Sequence, residues 1–294
     1  MSIKRILITL IAIVCCIVSY GQSKVYESLK MESKLLDKEI NYSIYLPDGY
    51  DTSKRLYPVV YLLNGYTGSE SDWIQYGNVQ QIVDNEIKSG NITPMIIVMP
   101  DGDDRLYMNK TDGTYPFEDM LIKEFLPFIE SHYNILKRKE SRGISGLSMG
   151  GNGALRLALK YNDLFGSCAA YSSAIVADEE ILAGEQNNFD NYFGRAIPSL
   201  KGAKGNERLS DKYRQYDLLH LVKTINPDEL NSVSIYFDCG DDDFLTVGNA
   251  LFHIELTKRK INHEFRVRDG RHTWGYWRDS LPIGLAFISK TMTR

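Results

Sequence analysis

The chain has 294 residues, with 34 Lys plus Arg against 38 Asp plus Glu, 43% hydrophobic and 24% charged positions. Those proportions exclude a disordered, collagen-like or coiled-coil chain. A formal charge of −4, with no basic run longer than Lys137-Arg138-Lys139, offers a phosphate backbone no binding face, so nucleic acid is not an expected partner.

Lys4 and Arg5 precede a run over residues 6–18 that is apolar but for Thr9 and ends at small residues, the pattern of a secretory signal peptide. Cleavage is expected after Gly21, so the chain reads as exported, to a periplasm or to the outside. The run is about 13 residues, short of the roughly 20 that a permanent span needs, and no stable membrane insertion is expected after cleavage. Cys16 would suit a lipid anchor, but Ile13-Val14-Cys15 lacks the small residue such a site has before its cysteine. Only Cys168 and Cys239 remain beyond residue 21, too few for a disulfide framework or a zinc site. Their expected places, at opposite ends of neighbouring parallel strands, predict free thiols.

From residue 39 onward, strand patterns alternate with helical ones. Strands are predicted at residues 39–46, 58–63, 94–99, 141–145, 166–172, 233–238 and 264–268; the second and third are continuous apolar runs, as in strands buried on both faces. Asn78 should cap a helix whose apolar positions Val79, Ile82, Val83 and Ile87 share a face, with Gly90 at its C-terminal end. Further helices are expected over residues 115–133, kinked at Pro127, and over 149–161, 246–260 and from about 279. This alternation predicts an α/β fold with a mostly parallel sheet and helices on both faces. No repeat or Pro/Ser-rich linker divides the chain, so residues 22–294 read as one domain. Residues 174–232 lack a clear period and read as an insertion over the sheet's carboxyl edge, where α/β proteins bind ligands.

Gly146-Leu-Ser-Met-Gly150 falls between a β-rich run and an Ala/Leu-rich helix. A serine on so sharp a turn needs glycines two residues either side, and its hydroxyl then projects at the amino end of a helix whose dipole favours negative charge. A neutral hydroxyl is a weak nucleophile and requires a base and a group that orients the base. His272 follows the last strand in a loop that can return across the sheet edge. His132 and His220 come too early in the chain, while His253 and His263 lie in a helix and at a strand entry, as structural histidines do. For the acid, Asp243 stands three residues past Gly240, with Asp242 as the alternative; Asp238 belongs to the strand and Asp241 to the solvated turn. No calcium-loop spacing or histidine ligand accompanies these carboxylates, so no metal is expected. Oxyanion donors are expected at the backbone N–H of Met149 and of Tyr66 in Asn64-Gly65-Tyr66, with Leu63 or Asn64 as the competing choice for the second.

The segments Tyr61-Leu-Leu-Asn-Gly65, Ile97-Val-Met-Pro-Asp-Gly102, Gly146-Leu-Ser-Met-Gly-Gly151, Asp238-Cys-Gly-Asp-Asp-Asp243 and His272-Thr-Trp-Gly-Tyr-Trp277 occur in the order of the esterase D-like hydrolases. That group contains the feruloyl and acetyl xylan esterases of carbohydrate esterase family one, the S-formylglutathione hydrolases and the mycobacterial mycolyltransferases. The resemblance implies an α/β-hydrolase fold, with Ser148 as nucleophile, His272 as base, Asp243 as acid, and Met149 and Tyr66 as oxyanion donors, without a cofactor. Many relatives have His-Gly where Asn64-Gly65 stands. Combined with the export signal, it implies a serine esterase that removes feruloyl or acetyl groups from a plant polysaccharide such as xylan. An S-formylglutathione hydrolase or other small-ester hydrolase is the alternative, and a non-catalytic carbohydrate-binding protein of the same fold the more distant one. Trp73, Trp274, Trp277, Tyr107 and Tyr115 are expected to supply planar faces for substrate, and residues 103–116 and 174–232 to shape the pocket.

Overall fold

The sheet is built from strands that have no solvent-facing side at its centre. In the computed structural model, which describes residues 22–292, eight strands form one sheet: β1 (Lys24–Ser33), β2 (Lys38–Leu46), β3 (Val59–Leu63), β4 (Ile96–Pro100), β5 (Arg142–Leu147), β6 (Ser167–Tyr171), β7 (Ser234–Gly240) and β8 (His263–Arg268). Their spatial order is β1-β2-β4-β3-β5-β6-β7-β8, antiparallel from β1 to β4 and parallel from β4 to β8. Every residue of β3, β4, β5 and β6 is buried, which is why these runs do not alternate; the one charged residue, Arg142 at the start of β5, is paired with Glu130. The expected signal peptide, its cleavage site after Gly21 and the Cys15-Cys16 pair lie outside the described residues.

The two faces of β3 divide cleanly: Val59, Tyr61 and Leu63 join one core, Val60 and Leu62 the other. Helices Met149–Lys160 and Thr246–Lys258 pack on the first face through Leu155, Leu159, Phe252 and Leu256; helices Val79–Lys88 and Trp274–Met292 cover the second through Val83, Leu281 and Leu285. Each fully buried aliphatic side chain of this kind contributes roughly 1.5–3 kcal/mol. Cys168 pairs with Ile235 near the start of β7 while Cys239 lies near its end, and both thiols are buried and free.

Several elements depart from the expected pattern. Strand β1 went unpredicted because a register shift between Tyr26 and Leu29, with Ser28 at φ 52°, interrupts its two-residue period, and most of its side chains face solvent at the sheet edge. The last helix starts at Trp274, five residues before the expected position, and carries Pro282 inside it. Asn78 is left-handed and makes no side-chain capping bond. Before Pro127 the chain makes a π turn (Leu121–Phe125) between helical segments Phe117–Met120 and Leu126–His132, accommodating a residue that cannot donate to the regular ladder. Residues 174–232, aperiodic in sequence, form short helices, among them Asp178–Ala183, Gln186–Phe193 and Leu218–Thr224.

One ion cluster ties the Phe117 segment to the helix after β5. Glu118 is 2% exposed and accepts from Arg156 at 2.6 Å, Lys160 at 2.5 Å and the Tyr161 hydroxyl at 2.7 Å. Burial alone would raise this carboxyl, but the Arg156 charge and the Lys160 contact outweigh it and hold it at about 2. A carboxylate held this far down stabilises the fold fully above its ordinary value of 4.5 and loses that contribution as pH falls toward 2. Glu118→Gln is therefore expected to cost about 3 kcal/mol at pH 7. In urea unfolding the gap between variant and parent should close between pH 4.5 and 2; a gap that stays constant with pH would contradict the electrostatic account.

Candidate active site

Ser148 sits alone between the end of β5 and the start of helix Met149–Lys160, with φ 54° and ψ −117°. A non-glycine residue here carries strain of order 1–3 kcal/mol and needs neighbours that hold it in place. The Ser148 N–H donates to the Tyr171 carbonyl, and the Ser148 carbonyl accepts from Ala174, each at 2.9 Å. The flanking glycines are a packing necessity. A Cβ on Gly146 would lie 2.5 Å from the Gly150 carbonyl oxygen, and one on Gly150 would lie 2.5 Å from the Asn64 carbonyl oxygen and 2.7 Å from that of Leu63.

The His272 ring lies beside the serine. Its Nε2 is 2.9 Å from Ser148 Oγ, and its Nδ1 is 2.9 Å from Asp243 Oδ2, so Nδ1–H donates to the carboxylate and Nε2 accepts from the hydroxyl. The Asp243 side chain is fully buried and also accepts from the Leu245 N–H at 2.9 Å. Burial raises this carboxyl; the hydrogen bond and charge of His272, with the Leu245 N–H, outweigh burial and hold it below the ordinary carboxylate range. Trp277 meets the imidazole edge-on at 4.9 Å and donates its indole N–H to Ser172, while Phe244 lies against the ring at 4.7 Å.

Among the competing carboxylates, Asp238 is buried on β7 against Tyr236, Ser280 and Arg268. Asp241 accepts from the Gly270 N–H, and Asp242 faces exposed Arg271 at 3.4 Å. These contacts join the turn after β7 to the turn after β8 and set Asp243 opposite His272. His253 and His263 bond each other at 2.7 Å beside β8.

The backbone N–H groups of Met149 and Tyr66 donate to no protein acceptor among the described residues. The Tyr66 loop lies against the serine, since a Cβ on Gly65 would be 3.7 Å from Ser148 Cβ. Its shape is held by Asn64, which is 1% exposed and accepts from the Gly102 N–H and the Tyr107 hydroxyl.

A cavity of about 940 Å³ opens over Ser148 and His272, its wall apolar through Tyr66, Ile181, Phe189, Tyr192, Phe193 and Phe244. None of the five aromatic residues expected to face substrate lines it. Trp73 and Tyr107 are core residues, the first donating to the Leu63 carbonyl and the second to Asn64. Trp277 supports His272, and Trp274 packs between Trp73 and Tyr76. Tyr115 stacks on Phe117 and donates to Asp103. None of the five lies in a strand; each sits in a helix or loop and packs against or bonds other protein groups. Residues 103–116 supply no lining, whereas the helices after β6 supply most of it. The residues that sequence reading missed, Phe189, Tyr192, Phe193 and Phe244, lie in an aperiodic segment or directly after Asp243. Phe244 alone left a signal, a bulky apolar side chain following an acidic run.

The tight seat of Gly150 makes a direct prediction. Gly150→Ala drives a methyl into two backbone carbonyls and should destabilise the protein by about 1–3 kcal/mol. Gly275→Ala meets nothing closer than 3.7 Å, and in a helix it should be neutral or stabilising by up to about 1 kcal/mol. Thermal unfolding of the two variants compares them; equal effects would mean that the Asn64 loop does not press on the serine helix.

A sequence model of the family described as "Putative esterase" matches residues 33–288. An acetyl esterase of Caldicellulosiruptor saccharolyticus is 29% identical over 79% of this chain and 83% of its own. The S-formylglutathione hydrolase of Mus musculus is 25% identical over 85% of this chain and 86% of its own. Among solved structures, a ferulic acid esterase with 29% identity superposes with a TM-score of 0.77, covering 92% of this chain and 99% of that one. The parallel sheet, the helices on its two faces and a family match over most of the chain lead to one assignment: this protein is an α/β-hydrolase of the esterase family.

Proposed function

We propose that the protein is an exported serine carboxylesterase that hydrolyses feruloyl or acetyl esters on a plant polysaccharide such as xylan. The observation that carries this reading is the hydrogen-bonded chain Asp243–His272–Ser148 ending at the cavity. In this reaction His272 Nε2 takes the hydroxyl proton as Ser148 Oγ attacks the acyl carbonyl. Asp243 holds Nδ1–H, fixing the tautomer and stabilising the imidazolium. The N–H groups of Met149 and Tyr66 receive the oxyanion, each donor being worth roughly 3–4 kcal/mol in the transition state. Collapse of the intermediate expels the sugar alkoxide, which takes the proton from His272, and water then releases the acid from Ser148 by the same steps.

Of the two acyl groups, the cavity favours the aromatic one. Its volume lies in the range of roughly 300–1,000 Å³ typical of sites for drug-sized ligands. Acetyl would leave most of the apolar wall wet, whereas a phenolic ring can stack on Tyr66, Phe189 or Tyr192. Glu180, Glu185, Asn188, Asn191 and Arg195 add polar groups suited to sugar hydroxyls. Export rests on Lys4, Arg5 and the apolar run that follows them. The ferulic acid esterase and the acetyl esterase support the ester class, and the S-formylglutathione hydrolase supplies the alternative substrate.

Purified protein assayed on methyl ferulate, p-nitrophenyl acetate, feruloylated xylo-oligosaccharide and S-formylglutathione tests the proposal. The expected order places both feruloyl substrates above the other two in kcat/KM by at least about tenfold, a difference of about 1.4 kcal/mol. Ser148→Ala should lose on the order of 10⁶ in kcat and Asp243→Asn about 10⁴. Activity surviving in Ser148→Ala would refute the mechanism, and a preference for S-formylglutathione would refute the substrate.

A further inference from the structure

Ser148 and Met149 share one helix start, but the other expected oxyanion donor, Tyr66, comes from the loop after β3 and needs a separate anchor. We propose that the Tyr107 hydroxyl is that anchor: a positioning residue that fixes Asn64 and through it the Tyr66 N–H. The inference rests on the esterase reading of Ser148 given above.

Tyr107 is fully buried, and its hydroxyl lies 2.7 Å from Asn64 Oδ1 and 3.2 Å from the Asn64 carbonyl oxygen. Its single proton goes to the nearer oxygen. Oδ1 also accepts from the Gly102 N–H at 3.0 Å, and Nδ2 donates to the Gly65 carbonyl at 3.0 Å, so the carboxamide links the loop after β4 to the turn that presents Tyr66. Burial, with Asp101 nearby, pushes the phenol well up, which keeps it a donor through the neutral range.

The helix that carries the nucleophile seats this tyrosine. A Cβ on Gly153 would lie 2.7 Å from Tyr107 Cδ2, and one on Gly102 would lie 2.6 Å from the hydroxyl oxygen, so two glycines clear space for the ring. Arg156, one turn beyond Gly153, donates to the Tyr107 carbonyl and is itself held by Glu118. Leu106 and Tyr107 adopt left-handed backbone, φ 55° and 51°, a conformation that bulky side chains rarely adopt unless the surroundings impose it. One helix therefore sets both the nucleophile and the tyrosine that sets the donor loop. An oxyanion donor must stand 2.7–3.1 Å from the developing charge, so displacement by a few tenths of an ångström weakens it.

Tyr107→Phe removes one oxygen and keeps the ring. Its kcat on p-nitrophenyl acetate should fall by about tenfold with KM changed less than about twofold, since the donor acts on the transition state. Affinity for phenylboronic acid, which forms a tetrahedral adduct on the serine, should fall by the same factor. Tyr61→Phe makes the same chemical change at a buried hydroxyl that bonds no protein group among the described residues, and should leave both quantities unchanged. Asn64→Ala should lower kcat similarly, and adding Tyr107→Phe to it should cost little more, as expected for two ends of one bond. Unchanged kcat and boronate affinity in Tyr107→Phe, or full additivity with Asn64→Ala, would overturn the inference. Loss of all activity in Ser148→Ala alongside an unimpaired Tyr107→Phe would sink this inference alone, whereas activity in Ser148→Ala would sink the esterase reading itself.

Discussion

The arrangement depends on one backbone constraint, a serine held at positive φ between a buried strand and the helix that follows it. That conformation brings the start of the helix almost into contact with the loop after the neighbouring strand. The contact tolerates no side chain, because the methyl of an alanine at 150 would already collide with the carbonyls of Leu63 and Asn64. The two glycines flanking Ser148 are thus consequences of the turn, and the strain they permit is offset by a sheet centre buried on both faces.

Parallel pairing converts that local turn into a convergent site. Leu63 is level with Gly146, Leu147 with Tyr171, Tyr171 with Asp238, and Gly240 with Arg268. The strands β3, β5, β7 and β8 therefore end at nearly one height, and the residues just beyond those ends are Tyr66, Ser148, Asp243 and His272. Register alone thus gathers groups separated by more than two hundred positions in sequence, and no loop has to reach far. Short contacts between the turns, such as Asp241 with the Gly270 N–H, complete the alignment.

What could be read from the sequence follows the same division. The buried strands and the Ser148 turn were legible because full burial and forbidden Cβ positions restrict residue types strongly. Asp243 and His272 were legible through chain order and their places in turns after strands. Strand β1 was not, because its bulge breaks the periodicity and its exposed edge accepts polar residues. The aromatic residues expected to face substrate pack elsewhere for a related reason: sequence composition does not reveal which way a side chain points. Trp73 and Tyr107 have the surface that would suit a sugar, yet each gives its polar hydrogen to the end of β3 or the loop after it, Trp73 to the Leu63 carbonyl and Tyr107 to the Asn64 carboxamide. Tyr107 thus serves the structure around the site from the core.

The least legible segment is also the one that forms most of the cavity wall. Residues 174–195 belong to no strand of the sheet and lie beyond the end of β6, outside the strand register that aligns Ser148, Asp243 and His272. The segment's contribution is cavity shape, which single-sequence periodicity does not encode. In the proposed reaction the sheet sets where an acyl carbonyl would sit for attack by Ser148. The helices above it would then set which acyl group and which alcohol fit around that point, and they present Phe189, Tyr192 and Phe193 to the cavity, with Phe244 from the Asp243 turn against the imidazole. Under the proposed reaction, specificity is consequently a property of these helices, while the chemistry is a property of strand ends.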